Sequence, residues 1–153
     1  MTPEERRDVL SQHLAAEDAH DAESAASTYH EDGWYENAAL GMRFDGRDLV
    51  AFQYAASYAL IPDMAASYDW EVDLGEHIVQ CGRIRGTASG ELLGVPLRGG
   101  EVDFPFTAII FFRDGKMAGE HIWYDLDLFC AQAGCDVAAV RAAAAAFSQP
   151  APT

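Results

Sequence analysis

Basic residues are scarce in this chain: ten Lys plus Arg stand against 25 Asp plus Glu, a net charge of −15. A surface of that sign repels phosphate backbones and anionic bilayers, which argues against nucleic acid or membrane as a partner. No run approaches the roughly 20 apolar residues of a membrane span. The opening MTPEERRDVL is charged and has no apolar core of a secretory leader, so the expected compartment is the cytoplasm. Cysteine is limited to Cys81, Cys130 and Cys135, an odd number that suits a reducing compartment. Cys130 and Cys135 lack a second Cys or His pair at zinc spacing, and all three read as free packing thiols. A phosphate-binding glycine loop, a Ser-His-Asp arrangement and a flavin fingerprint are all missing, so the expected chemistry needs no cofactor. His13, Glu17 and His20 can share one helical face as a metal site would, but a solvated acidic face explains them better and no metal is expected.

What is present is a chain of 153 residues, half of them apolar, which suits one domain with a substantial core. Residues 4–17 have helical spacing through Val9, Leu10 and Leu14, and after a break at 18–21 the spacing continues through Ala22, Ala25, Ala26 and Tyr29. HEDG then ends the helix, with Gly33 as its C-terminal cap, and residues 34–38 form a short aromatic strand. A third helix opens near Asp45 or Gly46 and stops at Pro62. From residue 67 the period changes to two, giving strands in SYDWEVDL, HIVQCGRIRGTASGELL, EVDFPFTAIIFF and KMAGEHIWYD. Asp114-Gly115 supplies the positive φ angles of a hairpin turn, and residues 94–100 form another connection. Asp136 caps a last, alanine-rich helix over 136–147, and 148–153 reads as a loose tail. Helices first and strands afterwards, with no repeat and no linker, predict an α+β fold: a curved antiparallel sheet wrapped around the N-terminal helices, with a pocket between them.

Several motifs in this order resemble the SnoaL-like polyketide cyclase family of the nuclear transport factor 2-like superfamily. YHEDGWYEN followed by FDGRDLVAF, then IPD, GTASGELLGVPLRGGEV and RDGKMAGEHIWYDLDLFCAQAG carry the likeness over residues 10–134, and the last helix lies outside it. The resemblance implies a cone-shaped α+β barrel and a homodimer formed through the open sheet face. It leaves the reaction open, because members include cyclases, epoxide hydrolases, isomerases, dehydratases and proteins without chemistry.

The candidate chemistry centres on residues 119–129, GEHIWYDLDLF. A period of two puts His121, Trp123 and Asp125 on one face and Glu120, Ile122 and Tyr124 on the other. With the first trio inward, Asp125 is desolvated beside an indole. That raises a carboxyl's pKa toward neutrality and fits it to move a proton. The alternative is that Asp125 caps a turn or the next helix. His121 either orients Asp125 and relays its proton or is a half-buried histidine satisfied by a neighbour, and Trp123 forms a pocket wall.

The resemblance adds roles to particular positions. Asp125 matches the strand-end aspartate that serves the cyclases as acid/base in aldol ring closure and helps the epoxide hydrolases activate water. Tyr35 and Asn37 match a Tyr-x-Asn that holds that water, against the plainer reading of a strand-end hydrogen-bond network. The steroid isomerases place an aspartate base at about Asn37, where an amide cannot take a proton. Arg83-Ile84-Arg85 stands where the hydrolases have Arg-x-Asp, so the general acid of that triad is replaced by a second cation. Inward, the two arginines would bind an enolate or carboxylate; outward, they lie on the outer sheet face or at a dimer interface. The cyclases' histidine on the preceding strand is missing from residues 104–112, where Thr107 is the polar group. Tyr54, Tyr58, Met64 and Trp70 line the rest of a cavity for a bulky apolar ligand or belong to the core. The expected protein is thus a cofactor-independent, homodimeric enzyme acting on a hydrophobic small molecule, polyketide-like or terpenoid, by cyclisation or isomerisation. The alternatives are an epoxide hydrolase and a non-catalytic ligand-binding module.

Overall fold

The computed structural model describes residues 1–147. Three helices lead: α1 (Pro3–Asp18), α2 (Ala22–Ser27) and, after strands β1 (Tyr29–Asn37) and β2 (Met42–Asp45), α3 (Arg47–Leu60). Strands β3 (Ala65–Asp73), β4 (His77–Ala88), β7 (Gly100–Arg113) and β8 (Lys116–Tyr124) follow, with a small ribbon of β5 (Glu91–Leu92) and β6 (Val95–Pro96) between β4 and β7. Helices α4 (Leu126–Ala133) and α5 (Val137–Phe147) end the described chain. The six-stranded sheet runs β2-β1-β8-β7-β4-β3, with only the β1–β8 pair parallel. The result is the α+β architecture read from the sequence, a curved, unclosed sheet with helices against its inner face. The expected tail at 148–153 lies outside the described residues.

Local chemistry explains the helix starts. Thr2 and Glu5 form a reciprocal capping box with Pro3 in the first turn of α1, and Asp21 caps α2 through Ser24 N. Along α1 the residues Arg6, Leu10, His13 and Ala16 recur at helical spacing and are buried. Arg6 grips Asp73 of β3 with Nη2 2.8 Å from Oδ1, which ties α1 to the far edge strand and holds the Asp73 carboxyl below its usual range.

The region after α2 departs from expectation. Gly33 does not cap a helix; it lies inside β1, which starts at Tyr29, and its missing side chain leaves room for His30 O at 2.9 Å from where a Cβ would stand. Tyr29 shares the parity of Tyr35 and Asn37 and is buried with them on the inner face, while the β1–β8 register shifts between Tyr29 and Trp34. The hairpin after β7 is as read: Asp114 and Gly115 have φ of 46° and 80°.

The sheet has two faces of different chemistry. Inward from β7 and β4 point Val102, Phe104, Phe106, Ala108, Ile110, Ile78 and Gln80, all buried. On β8 the inward residues are Glu120, Ile122 and Tyr124. His121, Trp123 and Asp125 therefore face the other way, a reversal of the expected orientation. Pairing register enforces it: Ile122 lies opposite buried Ala108, while Trp123 lies opposite Thr107 on the outside. Gly119 fixes the outer packing, because the Trp34 ring lies where its Cβ would be, 2.1 Å away.

A candidate active site around Glu120

Between the sheet and the helices lies a cavity with two lobes. The first is bounded by His13 and Glu17 of α1, Tyr68, Gln80, Phe106 and Ile110; the second by Tyr35, Asn37, Gln53, Tyr54, Phe104, Tyr124 and Phe129. Glu17, Met64, Ile84, Glu120 and Ile122 border both, which places Glu120 at their junction. The lobes enclose about 590 and 690 Å³, open solvent at the mouth included. Neither is lined by Lys or Arg.

Glu120 is a carboxyl taken almost wholly out of water, 6% exposed. Its Oε2 accepts the hydroxyls of Tyr29 and Tyr54, each at 2.7 Å. Burial pushes its pKa up and the charge of Glu17 adds to that; His13 and the two tyrosine hydrogen bonds pull the other way, and the net direction is upward. The tyrosines are raised well above their ordinary value, first by burial and then by Glu120, so they act as neutral donors.

His13 completes the cluster from α1. It is fully buried, with Nε2 3.1 Å from the Tyr54 hydroxyl and 3.5 Å from Glu17 Oε1, while Nδ1 meets Thr28 Oγ1 at 3.0 Å and Ala25 O at 3.3 Å. Burial alone would lower its pKa, but Glu17, by charge and by hydrogen bond, together with Glu120 and Ala25 O, holds it above the ordinary histidine value. The second lobe offers hydrogen-bonding groups along an otherwise apolar wall. The Tyr124 hydroxyl accepts from Asn37 Nδ2 at 3.3 Å, and burial pushes its pKa up to about 12. Asn37 Oδ1 accepts from Leu40 N, and Gln53 donates to Ser57.

Of the residues singled out in the sequence as lining or catalytic, Tyr35, Asn37, Tyr54 and Met64 share this cavity, and Asp125, His121, Trp123, Trp70, Arg83 and Arg85 do not. Asp125 is exposed and is the N-cap of α4, its Oδ1 accepting from Leu128 N at 3.0 Å, so the expected enclosed carboxyl is absent there. His121 lies outside, stacked on Trp123 at 3.8 Å and 3.2 Å from Glu36. Trp70 is half exposed on the same outer face, in the row Trp70–Cys81–Thr107–Trp123. Arg83 and Arg85 also point outward and share Asp103, at 2.6 and 3.2 Å, so neither reaches a ligand in the cavity and the hydrolase arginine has no counterpart there. On β4 and on β8 from Glu120 onward the even-numbered residues face the core, which turns Arg83, Arg85, His121 and Trp123 outward.

His13, Glu17, Tyr29 and Glu120 form the centre of the site, and no sequence motif marks them as one. His13 and Glu17 were visible as an i, i+4 pair, but their face is not a solvated one. His20 does not join them: it bonds Met64 O and stacks on Tyr58. Among the described residues no group of three or more His, Cys, Asp or Glu is placed to hold a metal ion.

This geometry can be set beside known proteins. The profile of the SnoaL-like polyketide cyclases matches residues 7–132. The chain belongs to that family. No curated protein matches the sequence. A protein from Jannaschia sp. CCS1, assigned as a SnoaL-like polyketide cyclase, superposes with a TM-score of 0.77 at 16% identity over 87% of this chain and 95% of its own. A ketosteroid isomerase-like protein from Catenulispora acidiphila, solved in complex with trimethylamine, gives 0.73 at 20% identity over 90% and 98%. TerC, co-crystallised with polyporic acid, gives 0.71 at 18% over 85% and 98%. At these identities the structures establish a shared fold, nuclear transport factor 2-like, and leave the chemistry to the site.

Proposed function

We propose that this family member is a cytoplasmic, cofactor-independent enzyme that moves a proton on a neutral, largely apolar small molecule of polyketide or terpenoid type, giving cyclisation or isomerisation. Glu120 is the acid/base. The observation that carries this reading is a buried carboxyl, held by two tyrosine hydroxyls, at the junction of two lobes open to a ligand. A desolvated carboxylate is a stronger base than one in water, and its conjugate acid is a competent donor near neutral pH.

The sequence of steps balances within the site. Glu120 takes a hydrogen from carbon next to a ligand carbonyl, leaving an enolate. Tyr124, whose oxygen already accepts from Asn37, retains a hydrogen to donate to the enolate oxygen, and Tyr35 and Gln53 flank it in the same lobe. The enolate carbon either attacks a second carbonyl, whose new alkoxide takes the proton from Glu120, or, where a carbon–carbon double bond of the ligand is conjugated with the enolate, Glu120 returns the proton to the far carbon of that dienolate and the double bond shifts. The first path closes a ring; the second isomerises. With Glu17 and Glu120 in the cavity wall and no Lys or Arg beside them, a ligand carboxylate would meet like charge, which supports an uncharged substrate. Two neighbours of the same fold were solved with small organic molecules. The test is deuterium uptake into 2-tetralone, a neutral bicyclic ketone, in heavy water, followed by proton NMR. Saturable exchange above the buffer rate is expected; exchange no faster than buffer would overturn the assignment.

The homodimer belongs to the same proposal. Trp70, Val72 and Trp123 are exposed on the outer sheet face, beside the His121–Trp123 stack, and apolar surface of this kind supports burial against a second copy.

A further inference from the structure

We propose that His13 and Glu120 hold one proton between them, passed across the Tyr54 hydroxyl, so that His13 is the proton reservoir of the site and Tyr54 its bridge. The proposal rests on Glu120 being the proton-transfer group and adds what resets it.

A hydrogen count carries the argument. Thr28 spends its one hydroxyl hydrogen on Ala25 O at 2.7 Å. Both groups facing His13 Nδ1 therefore accept, and Nδ1 must carry a hydrogen. That leaves Nε2 as the variable position, in contact with Tyr54. Tyr54 has one hydrogen for three oxygen or nitrogen neighbours: Tyr29 at 2.8 Å, Glu120 at 2.7 Å and His13 at 3.1 Å.

Two arrangements satisfy these contacts without moving a heavy atom. In one, His13 is an imidazolium whose Nε2–H donates to Tyr54, while Tyr54 and Tyr29 both donate to an ionised Glu120. In the other, the Nε2–H bond has broken and a Tyr54 O–H has formed from that hydrogen. The hydrogen Tyr54 held before is now on Glu120 Oε2, and Tyr54 donates to a neutral Nε2. Imidazolium plus carboxylate becomes imidazole plus carboxylic acid, with no change in net charge. The groups facing this pair are Glu17 and Asp18 from α1, Tyr29 and Tyr35 from β1 and Tyr54 from α3; Glu17 favours the imidazolium arrangement. The consequence is functional: Glu120 can start as base and finish as acid while a ligand closes the cavity to water, because His13 supplies or stores the proton.

The test reads protonation directly, so its failure is separable from absence of turnover. Protein labelled with nitrogen-15 histidine and with carbon-13 at the glutamate carboxyl is titrated by NMR. In the wild type, His13 and Glu120 should titrate in two shared steps. His13→Asn should raise the Glu120 midpoint by about one pH unit, and Glu120→Gln should lower the His13 midpoint by about as much, since coupling is reciprocal. Tyr54→Phe keeps both titrating groups and the ring while removing the bridge, and should weaken the coupling. An unmoved His13 midpoint in Glu120→Gln, or full coupling in Tyr54→Phe, would overturn the proposal. Circular dichroism establishes that each variant is folded, and the last two decide the question if His13→Asn is not. Coupled titration without 2-tetralone exchange would sink the enzyme reading and leave the shared proton standing.

Discussion

The two faces of β8 carry opposite versions of the same ingredients. Outside, His121, Trp123 and Asp125 combine an imidazole, an indole and a carboxyl in contact with water. Inside, Glu120 is buried and held by Tyr29 and Tyr54, with His13 behind Tyr54. Similar groups one residue apart acquire different chemistry because the pleat sends one set to high dielectric and the other to low. Outside, Asp125 spends its acceptor on a helix N-terminus; inside, Glu120 is held by hydroxyls that leave it able to exchange a proton.

That contrast can be broken in several ways. The largest stability effect is expected from Gly119→Val, which drives a branched side chain into Trp34 and should cost about 3 kcal/mol in urea denaturation. The inner cluster should also set how stability depends on pH. Folded pKa values above the unfolded ones mean that the folded state binds protons more tightly, so this stability is whole below the unfolded values. It is lost as pH rises through the folded ones, beginning above about 4.3 for Glu120 and about 6.5 for His13. Melting temperature should therefore decline with rising pH from this source, and Glu120→Gln should flatten the Glu120 part of the decline. On the outer face, light scattering should find the wild type at the mass of the proposed dimer and Trp70→Glu combined with Trp123→Glu at that of a monomer, with secondary structure retained. The smallest effect is expected at Asp125→Ala, about 1 kcal/mol for a lost N-cap, measured by thermal melting.

Sequence reasoning reached the fold because its signals were local. Helical spacing over residues 4–17, the Asp114-Gly115 turn and the change of period after residue 66 each act within a few residues. It reached part of the cavity for the same reason: Tyr35 and Asn37 alternate on one strand. The site's centre was harder to see. Alternation along β8 separates two faces but does not say which looks inward, and each offered one acid and one aromatic. The decision comes from the partner strands, through the pairing of Ile122 with Ala108, and from α1, which brings His13 across 107 positions of sequence to Glu120. The i, i+4 pair of His13 and Glu17 was the available clue, and an acidic composition made it look like solvated surface.

The central claim is that the inner carboxyl of β8, and not the acid at the strand's end, moves the proton. The measurement is the initial rate of deuterium uptake by 2-tetralone with Glu120→Gln and Asp125→Asn side by side, both shown to be folded. Glu120→Gln should lose about 10²–10⁴ of the rate while Asp125→Asn stays near wild type. Loss in Asp125→Asn with activity kept in Glu120→Gln would contradict the account.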